Sequence, residues 1–339
     1  MDLVRLDIYL AATGGCNVRE GRLSVIIPAY NEQENIVNTV QTVSAVLDAA
    51  YIAYEIIFVD DGSGDATWKE IDNISEHSDK ITGIRFSRNF GKEAAIYAGL
   101  AESTGDCAAV MDCDLQHPPD KLVEMYRLWQ SGAEVIEGLK SSRGEESRAH
   151  SVFAKLFYGI ISKAAGFDMS DASDFRLLDR KAVTVLLNMK EKNAFFRGLS
   201  SWIGFETAQI QFDVQERAAG ESKWSLCQLV RYAIKDITSF TTLPMQIVTV
   251  MGGLMLVVTV LQGIEALITY FRGQALGGFT TVILLQLFIG SITMLSLGII
   301  GYYIARIYEE VRDRPRYIIS TKTGYGRKLS KDPSPTDQM

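Results

Sequence analysis

Two long uncharged stretches constrain this chain more than any other feature. Residues 247–264 and 279–305 are apolar and contain no Asp, Glu, Lys or Arg. At roughly 1.5 Å of rise per residue, a helix of this length spans a hydrocarbon core of about 30 Å. We therefore predict two transmembrane helices, over residues 243–270 and 279–305. Two buried helices of a soluble protein are the alternative.

The basic residues around these stretches predict their orientation. The connection between them carries only Arg272, whereas residues 306–339 are rich in Lys and Arg. An excess of Lys and Arg marks the cytoplasmic side. Since two crossings return the chain to its starting side, we expect a multi-pass protein of the plasma (inner) membrane, with its main domain and its basic tail both cytoplasmic.

Strand and helix patterns alternate over residues 22–224, which we expect to form one globular domain behind a leader of residues 1–21. Short apolar runs predict five strands, and helical spacing predicts four helices between them. This order indicates an α/β fold with a mostly parallel sheet and helices on both faces. The strands are predicted at residues 23–28, 55–59, 81–86, 107–111 and 133–138, and the helices at 32–49, 66–77, 92–103 and 119–131.

Residues 225–242 are predicted to form an amphipathic juxtamembrane helix. Such a helix can lie in the membrane interface, although an ordinary surface helix fits the pattern equally well. The formal net charge of −7 argues against nucleic acid as a partner, because binding to phosphate backbones needs a basic face. The four cysteines lack zinc-site spacing, so small buried side chains in a reducing compartment are expected.

An acidic cluster follows the fourth predicted strand. Asp112 and Asp114 stand two residues apart there, and Gln116 follows them. Ligands of parallel sheets bind beyond the carboxyl ends of the strands. Carboxylate and amide oxygens suit Mg²⁺ or Mn²⁺, so these three residues are candidate metal ligands. Two solvated turn carboxylates are the alternative.

Three further polar clusters follow the first three strands. Pro28-Ala-Tyr-Asn-Glu32 offers a ring and polar groups, with Asn31 as a helix cap in the alternative interpretation. Asp60-Asp61-Gly62-Ser63 could bind a base or a ribose, or it could simply form a turn. Arg88-Asn-Phe-Gly-Lys92 could contact a pyrophosphate through Lys92, or it could be a surface loop.

Five motifs in this order resemble those of family 2 glycosyltransferases: V-I-I-P-A-Y-N-E, V-D-D-G-S, R-N-F-G-K, M-D-C-D-L-Q-H-P-P and D-A-S-D-F-R. Within that family, the chain is similar to the polyprenyl-phosphate sugar synthases, which include dolichyl-phosphate mannose synthase and the bactoprenol glucosyltransferases. The two C-terminal spans fit the bactoprenol type. The resemblance covers about residues 22–305, and Ser173 stands where relatives often carry Gly.

The resemblance implies a GT-A fold and a role for each matching residue. It implies that Asp112, Asp114 and Gln116 hold the metal and that Asp114 and Asp174 are catalytic. Asp174 would lie near the acceptor, as a base or in a structural salt bridge with Arg176 or another cation. The nucleotide sugar would contact Pro28, Tyr30, Asn31, Glu32, Asp60, Asp61, Lys92 and Asp112. The acceptor and diphosphate would contact Arg143, Arg148, Arg217 and Lys223.

The implied reaction is inverting transfer of a hexose to a polyprenyl phosphate, such as undecaprenyl phosphate, for the modification of cell-envelope glycans. UDP-glucose is the first expected donor and GDP-mannose the alternative. The spans and the juxtamembrane helix could pack as a dimer or tetramer, so a homo-oligomer is considered. A non-catalytic membrane scaffold with a nucleotide-binding fold is the alternative from another class of protein.

Overall fold

The computed structural model describes residues 19–140, 172–189, 191, 195–213, 243–272 and 279–324. The described chain divides into two compact units. One contains the residues up to 213 together with those from Pro315 onward, and the other contains the two long apolar helices. The predicted juxtamembrane helix over 225–242 and most of the leader lie outside the described residues.

The first unit is built on one eight-stranded sheet. Its strands are β1 (Leu23–Ala29), β2 (Tyr54–Asp60), β3 (Ile81–Phe86), β4 (Cys107–Val110), β5 (Val135–Lys140), β6 (Ala172–Asp179), β7 (Thr207–Phe212) and β8 (Ile319–Gly324). Their spatial order is β7-β5-β6-β4-β1-β2-β3-β8. Neighbouring strands among β4, β1, β2 and β3 are parallel, and β7 is parallel to β5. Strand β6 is antiparallel to both β4 and β5, and β8 is antiparallel to β3.

The helices of this unit connect and cover the strands. They are α1 (Ile36–Ala49), α2 (Thr67–Glu76), α3 (Lys92–Glu102), α4 (Asp120–Gln130), α5 (Arg180–Asn188) and α6 (Phe196–Trp202). The predicted mostly parallel α/β fold is confirmed. Helices α1 to α4 correspond to the four predicted helices, and their ends differ from the predicted ends by at most four residues.

The central strands are apolar because both of their faces are covered. Every residue of β2 is buried, as are all those of β4 and all but Pro28 in β1. Such continuous apolar runs are typical of the interior strands of parallel sheets. Cys107 and Cys113 are free and buried in this core, as expected.

The strand order reverses between β1 and β4. From β1 the chain moves outward through β2 and β3 on one side, and then returns to place β4 on the other side of β1. The crevice at such a switch point, beyond the carboxyl ends of the strands, is the usual ligand site of open α/β sheets. The loops that follow β1 and β4 leave the sheet at this position.

Strand β8 was not predicted from the sequence, which placed residues 306–339 in a tail. It comes after the apolar helices in the chain and pairs antiparallel with β3. Tyr317, just before it, stacks on Phe86 with ring centroids 5.1 Å apart, and Lys322 forms an ion pair with Glu102 at 2.6 Å. Its sequence, Ile-Ser-Thr-Lys-Thr-Gly, is mostly polar because an edge strand has one unpaired side.

The second unit contains α7 (Leu243–Phe271) and α8 (Phe279–Val311). Helix α7 matches the predicted span 243–270, and α8 continues six residues beyond the predicted end at 305. Among the described residues, the segment Phe288–Ala305 is long and apolar enough to cross a membrane. The apolar stretch of α7, Val250–Glu265, is shorter, so the pair of crossings predicted from the sequence is not confirmed.

Candidate active site

Three elements bring candidate residues together at one edge of the sheet. Strand β4 ends just before Asp112, and its antiparallel neighbour β6 begins just before Asp174. The pairing of Val110 with Arg176 sets the register of these strands. Continued by two residues, the same register places Asp112 opposite Asp174. Helix α3 begins at the same edge with Lys92.

The turn after β4 is held by a histidine that sequence reasoning did not single out. The backbone N–H of Asp112 donates to Nδ1 of His117 at 3.1 Å. The His117 ring is buried and stacks on Phe175, with centroids 4.8 Å apart. Burial lowers the pKa of His117 despite the nearby Asp112 carboxylate, which favours the neutral ring whose Nδ1 accepts this hydrogen bond.

The second acidic residue lies within the same turn. Asp114 Oδ1 accepts a hydrogen bond from the backbone N–H of Gln116 at 3.1 Å. Leu115 between them adopts a left-handed conformation, with φ of 57°. Such a conformation is costly for a branched side chain and is held by its surroundings, often at functional sites. The turn therefore gives the acidic pair a defined shape.

Lys92 bridges two of the predicted acidic residues. Its Nζ lies 2.6 Å from Asp112 Oδ1 and 2.7 Å from Asp174 Oδ2. Desolvation acts to lower the pKa of the Lys92 ammonium, but these two carboxylates outweigh it and raise that pKa. Burial likewise acts to raise the pKa of Asp112, and Lys92 reverses the shift and lowers it. The bridge therefore consists of charged groups.

Asp174 also contacts Arg197, a residue that the sequence patterns did not reveal. Nε of Arg197 lies 2.5 Å from Asp174 Oδ1, and Nη2 lies 3.0 Å from Oδ2. Arg197 belongs to α6, whose short sequence carries no recognisable motif. Arg176, the partner suggested from the sequence, instead pairs with Glu137 on β5 at 2.8 Å.

Glu93, next to Lys92, is a second residue that sequence reasoning missed. Its Oε2 accepts the backbone N–H of Phe196 at 2.8 Å, which ties the first turn of α3 to the first residue of α6. Burial and the neighbouring Asp174 charge raise the pKa of Glu93 to about 7, although the Phe196 N–H, Arg197 and Lys92 act against the shift. This carboxyl group is therefore poised to titrate near neutrality.

The loops after β1 and β2 are joined side by side. Asn31 has a left-handed backbone with φ of 55°, and its N–H donates to the Ser63 hydroxyl at 2.9 Å. Its side-chain oxygen accepts the N–H of Gly64 at 2.9 Å, so Asn31 does not cap α1, which begins at Ile36. Tyr30 is 49% exposed beside it. Of the predicted nucleotide-binding residues, Pro28 lies near the end of β1, and Tyr30, Asn31 and Glu32 follow in the loop after it.

Asp60 and Asp61 are buried and make contacts within the protein. Asp60 Oδ1 accepts the Ser63 N–H at 2.9 Å, and Arg85 Nε lies 3.3 Å from its Oδ2. The two oxygens of Asp61 accept the N–H groups of Phe90 and Gly91 at 2.6 and 2.9 Å. The second loop therefore holds the loop that leads to Lys92, and contact of either carboxylate with a nucleotide stays a prediction.

The oxygens of Asp112 and Asp114 suit a divalent ion that takes its other ligands from a bound substrate. Within the described residues, no three His, Cys, Asp or Glu side chains are close enough together to hold a metal ion. Asp112 and Asp114 supply hard oxygens on one short turn, which matches the preference of Mg²⁺ and Mn²⁺. Mg²⁺ is commonly held by one or two carboxylates plus substrate phosphates. The predicted phosphate-binding residues Arg143, Arg148, Arg217 and Lys223 lie outside the described residues.

Comparison with known sequences gives consistent matches. The profile of glycosyl transferase family 2 matches residues 24–184. An uncharacterized glycosyltransferase, YkcC, of Bacillus subtilis is 36% identical, over 91% of this chain and 97% of the relative. The bactoprenol glucosyl transferase of Shigella phage SfX is 33% identical, over 89% of this chain and 99% of the relative. A prophage bactoprenol glucosyl transferase homolog of Escherichia coli K12 is 34% identical, over 88% and 98%.

Solved structures also match. Glucosyl-3-phosphoglycerate synthase from Mycobacterium tuberculosis, in complex with Mn²⁺, UDP-glucose and phosphoglyceric acid, is 19% identical. The match covers 70% of this chain and 83% of that chain, with a TM-score of 0.46.

Proposed function

The chain belongs to glycosyl transferase family 2, and from this premise we propose that it transfers glucose from UDP-glucose to a polyprenyl phosphate at a membrane. The names of the relatives from phage SfX and Escherichia coli support glucose and the bactoprenol acceptor. Its sheet, mostly parallel with covered faces, is the GT-A architecture expected of the family.

The observation that carries the proposal is the charged edge where β4 and β6 meet α3. Asp112 and Asp174 lie there with Lys92 between them, at the switch point of the sheet. Such an edge offers acidic ligands for a cation and basic groups for phosphates within a few ångströms. These are the two requirements for cleaving a sugar diphosphate beside a second phosphate.

We assign the donor side of the site to Asp112, Asp114 and the first two loops. Asp112 and Asp114, with Gln116, would hold Mg²⁺ or Mn²⁺, which acts as a Lewis acid on the diphosphate when it is bound. The exposed ring of Tyr30 offers a face on which a base can stack. Arg143, Arg148, Arg217 and Lys223 stay candidates for phosphate contacts.

The membrane part of the proposal has support from the connectivity. Strand β7 precedes the apolar helices in the chain and β8 follows them, and both belong to one sheet. A sheet cannot have strands on both sides of a membrane, so the helices between must cross an even number of times. Because the segment Phe288–Ala305 of α8 is long enough to cross, we propose that α7 crosses as well. The Lys and Arg residues in 306–339 support a cytoplasmic catalytic unit.

A direct transfer assay tests the proposal. The purified full-length protein is incubated with undecaprenyl phosphate, Mg²⁺ or Mn²⁺, and radiolabelled UDP-glucose, GDP-mannose or UDP-GlcNAc, and the lipid-extractable label is measured. We expect lipid-linked glucose from UDP-glucose in the presence of either metal, and none with a chelator. Label from GDP-mannose alone would change the donor assignment, and no lipid product from any donor would refute the proposal.

A further inference from the structure

The Asp174 carboxylate is enclosed by two cations. It is 4% exposed, and both of its oxygens are engaged: Lys92 Nζ lies 2.7 Å from Oδ2, and the Arg197 guanidinium contacts both oxygens. Burial alone would raise the pKa of Asp174, but Lys92 and Arg197 hold it well below its usual range. A carboxylate so engaged is a poor proton acceptor.

The two cations are more accessible than the carboxylate that holds them. The Lys92 side chain is 41% exposed and that of Arg197 is 27% exposed, against 4% for Asp174. Asp174 therefore lies behind the two cations, which are the more accessible partners in these ion pairs. Arg is suited to contacting phosphate oxygens in pairs, and Lys acts there as a point charge.

A hydrogen bond between the starts of α3 and α6 fixes the spacing of the two cations. Lys92 precedes Glu93 in α3, and Arg197 follows Phe196 in α6. The Phe196 N–H donates to the Glu93 carboxyl group at 2.8 Å, so the two helix starts are joined one residue away from each cation. The pair is thus preorganised by contacts on both sides, through Asp174 and through Glu93.

Building on the proposed function, we propose that Lys92 and Arg197 form the seat of the acceptor's phosphate group, and that Asp174 is the anchor that aligns them. The ligand class is a phosphate monoester dianion. Lys92 also contacts Asp112, so a phosphate held here lies next to the turn assigned to the donor diphosphate.

The reaction needs no base at this position. An oxygen of the acceptor phosphate, already anionic near neutral pH, forms the bond to the anomeric carbon of glucose. The bond from that carbon to the diphosphate oxygen breaks, and its electron pair leaves with UDP. No proton has to move, which is consistent with a carboxylate that orients cations and does not titrate.

The test compares lipid binding and turnover in Arg197→Gln with a matched control. Arg19→Gln removes the same kind of ion pair from Asp179, at the other end of β6. Binding of undecaprenyl phosphate is measured by native mass spectrometry in detergent, and UDP binding by calorimetry. Because a charged hydrogen bond contributes about 1.5–3 kcal/mol, Arg197→Gln should weaken lipid binding and raise the acceptor KM by about tenfold or more.

The donor side should not change. We expect UDP binding and the KM for UDP-glucose to match wild type in both variants, and Arg19→Gln to leave the acceptor KM unchanged. Arg197→Lys, which keeps the charge, should recover part of the acceptor binding. Retained UDP binding also shows that a variant is folded.

The Asp174→Asn variant distinguishes between two roles of Asp174, an anchor that aligns the two cations and a general base. An anchor predicts weaker lipid binding and an unchanged shape of the pH–rate profile, whereas a base predicts normal lipid binding and loss of the acidic limb. Unchanged lipid binding in Arg197→Gln, or an equal rise in both KM values, would overturn the proposal. Wild-type protein that binds the lipid but transfers no glucose would refute the proposed function while leaving the seat supported.

Discussion

Asp114, a proposed metal ligand, lies in the turn that follows β4. Its Oδ1 accepts the backbone N–H of Gln116 within the same turn. We predict that Asp114→Ala lowers glucose transfer at least about a hundredfold, since one oxygen ligand of the proposed metal is lost. Transfer assays and the melting temperature check this. Near wild-type turnover in a folded variant would remove Asp114 from the metal site.

Glu93 should make stability depend on pH. The pKa of about 7 means that the folded protein keeps the proton of this carboxyl group up to about pH 7, whereas a free Glu side chain loses it near pH 4.5. Between these values the folded state binds more protons, so stability falls as the pH rises. Glu93→Gln should therefore stabilise the protein by up to about 3 kcal/mol at pH 8 and by less than about 1 kcal/mol at pH 5.

Thermal unfolding in detergent at the two pH values measures the Glu93 effect. Gln keeps an oxygen that can accept the Phe196 N–H, so that contact should survive. A variant with equal gains at both pH values would point to packing and not to the charge. No gain at pH 8 would mean that Lys92 and Arg197 already compensate the ionised carboxylate.

At the scale of single residues, the sequence predicted the groups that stand in motifs after strands and missed their partners. Asp112, Lys92 and Asp174 were predicted, and the structure brings them into contact. Arg197 and Glu93 were not, because their roles come from the docking of α6 against α3, which no local pattern encodes. Asp60 and Asp61 make contacts within the protein, and their predicted role as nucleotide ligands stays a prediction.

Helix α3 is positioned by close approach to β1. A Cβ atom built at Gly99 collides with the side chain of Ile26, so only glycine fits there without movement. We predict that Gly99→Ala destabilises the protein by about 1–3 kcal/mol, the usual cost of overpacking. Because α3 begins with Lys92, its displacement should also lower turnover.

Melting temperatures check the Gly99 prediction, with Gly64→Ala as the control. A Cβ at Gly64 meets nothing within 4 Å, so that variant should melt like wild type. Ile26→Ala removes the colliding side chain. In a protein that already carries Ile26→Ala, Gly99→Ala should therefore destabilise the fold less than it does in wild type. Additive losses in the double variant would contradict the packing explanation.

At the scale of elements, periodicity predicted β1 to β5 and α1 to α4 well, because each buries an apolar face. Strand β6 was missed, since Asp174 and Arg176 interrupt its apolar pattern and are satisfied only by tertiary partners. Strand β8 was missed for a different reason. It is polar, lies at the edge, and pairs with a strand more than two hundred residues earlier in the chain.

For the whole molecule, the shared sheet predicts the membrane topology. A reporter fused after Met339 should lie on the same side as the catalytic unit, and one inserted in the connection near Arg272 should lie on the opposite side. Protease protection in sealed vesicles measures both. A Met339 reporter on the side opposite the catalytic unit would contradict an even number of crossings.

Strand β8 also sets an order on biosynthesis. A ribosome making this protein releases β1 to β7 first, then two hydrophobic helices, and only then the strand that covers the outer edge of β3. Until that moment, the nascent sheet has an unpaired edge of the kind that invites association with other chains. Completion of the enzyme therefore waits for its hydrophobic helices to be made, so a polypeptide cut short before them would be a catalytic sheet with its border still open.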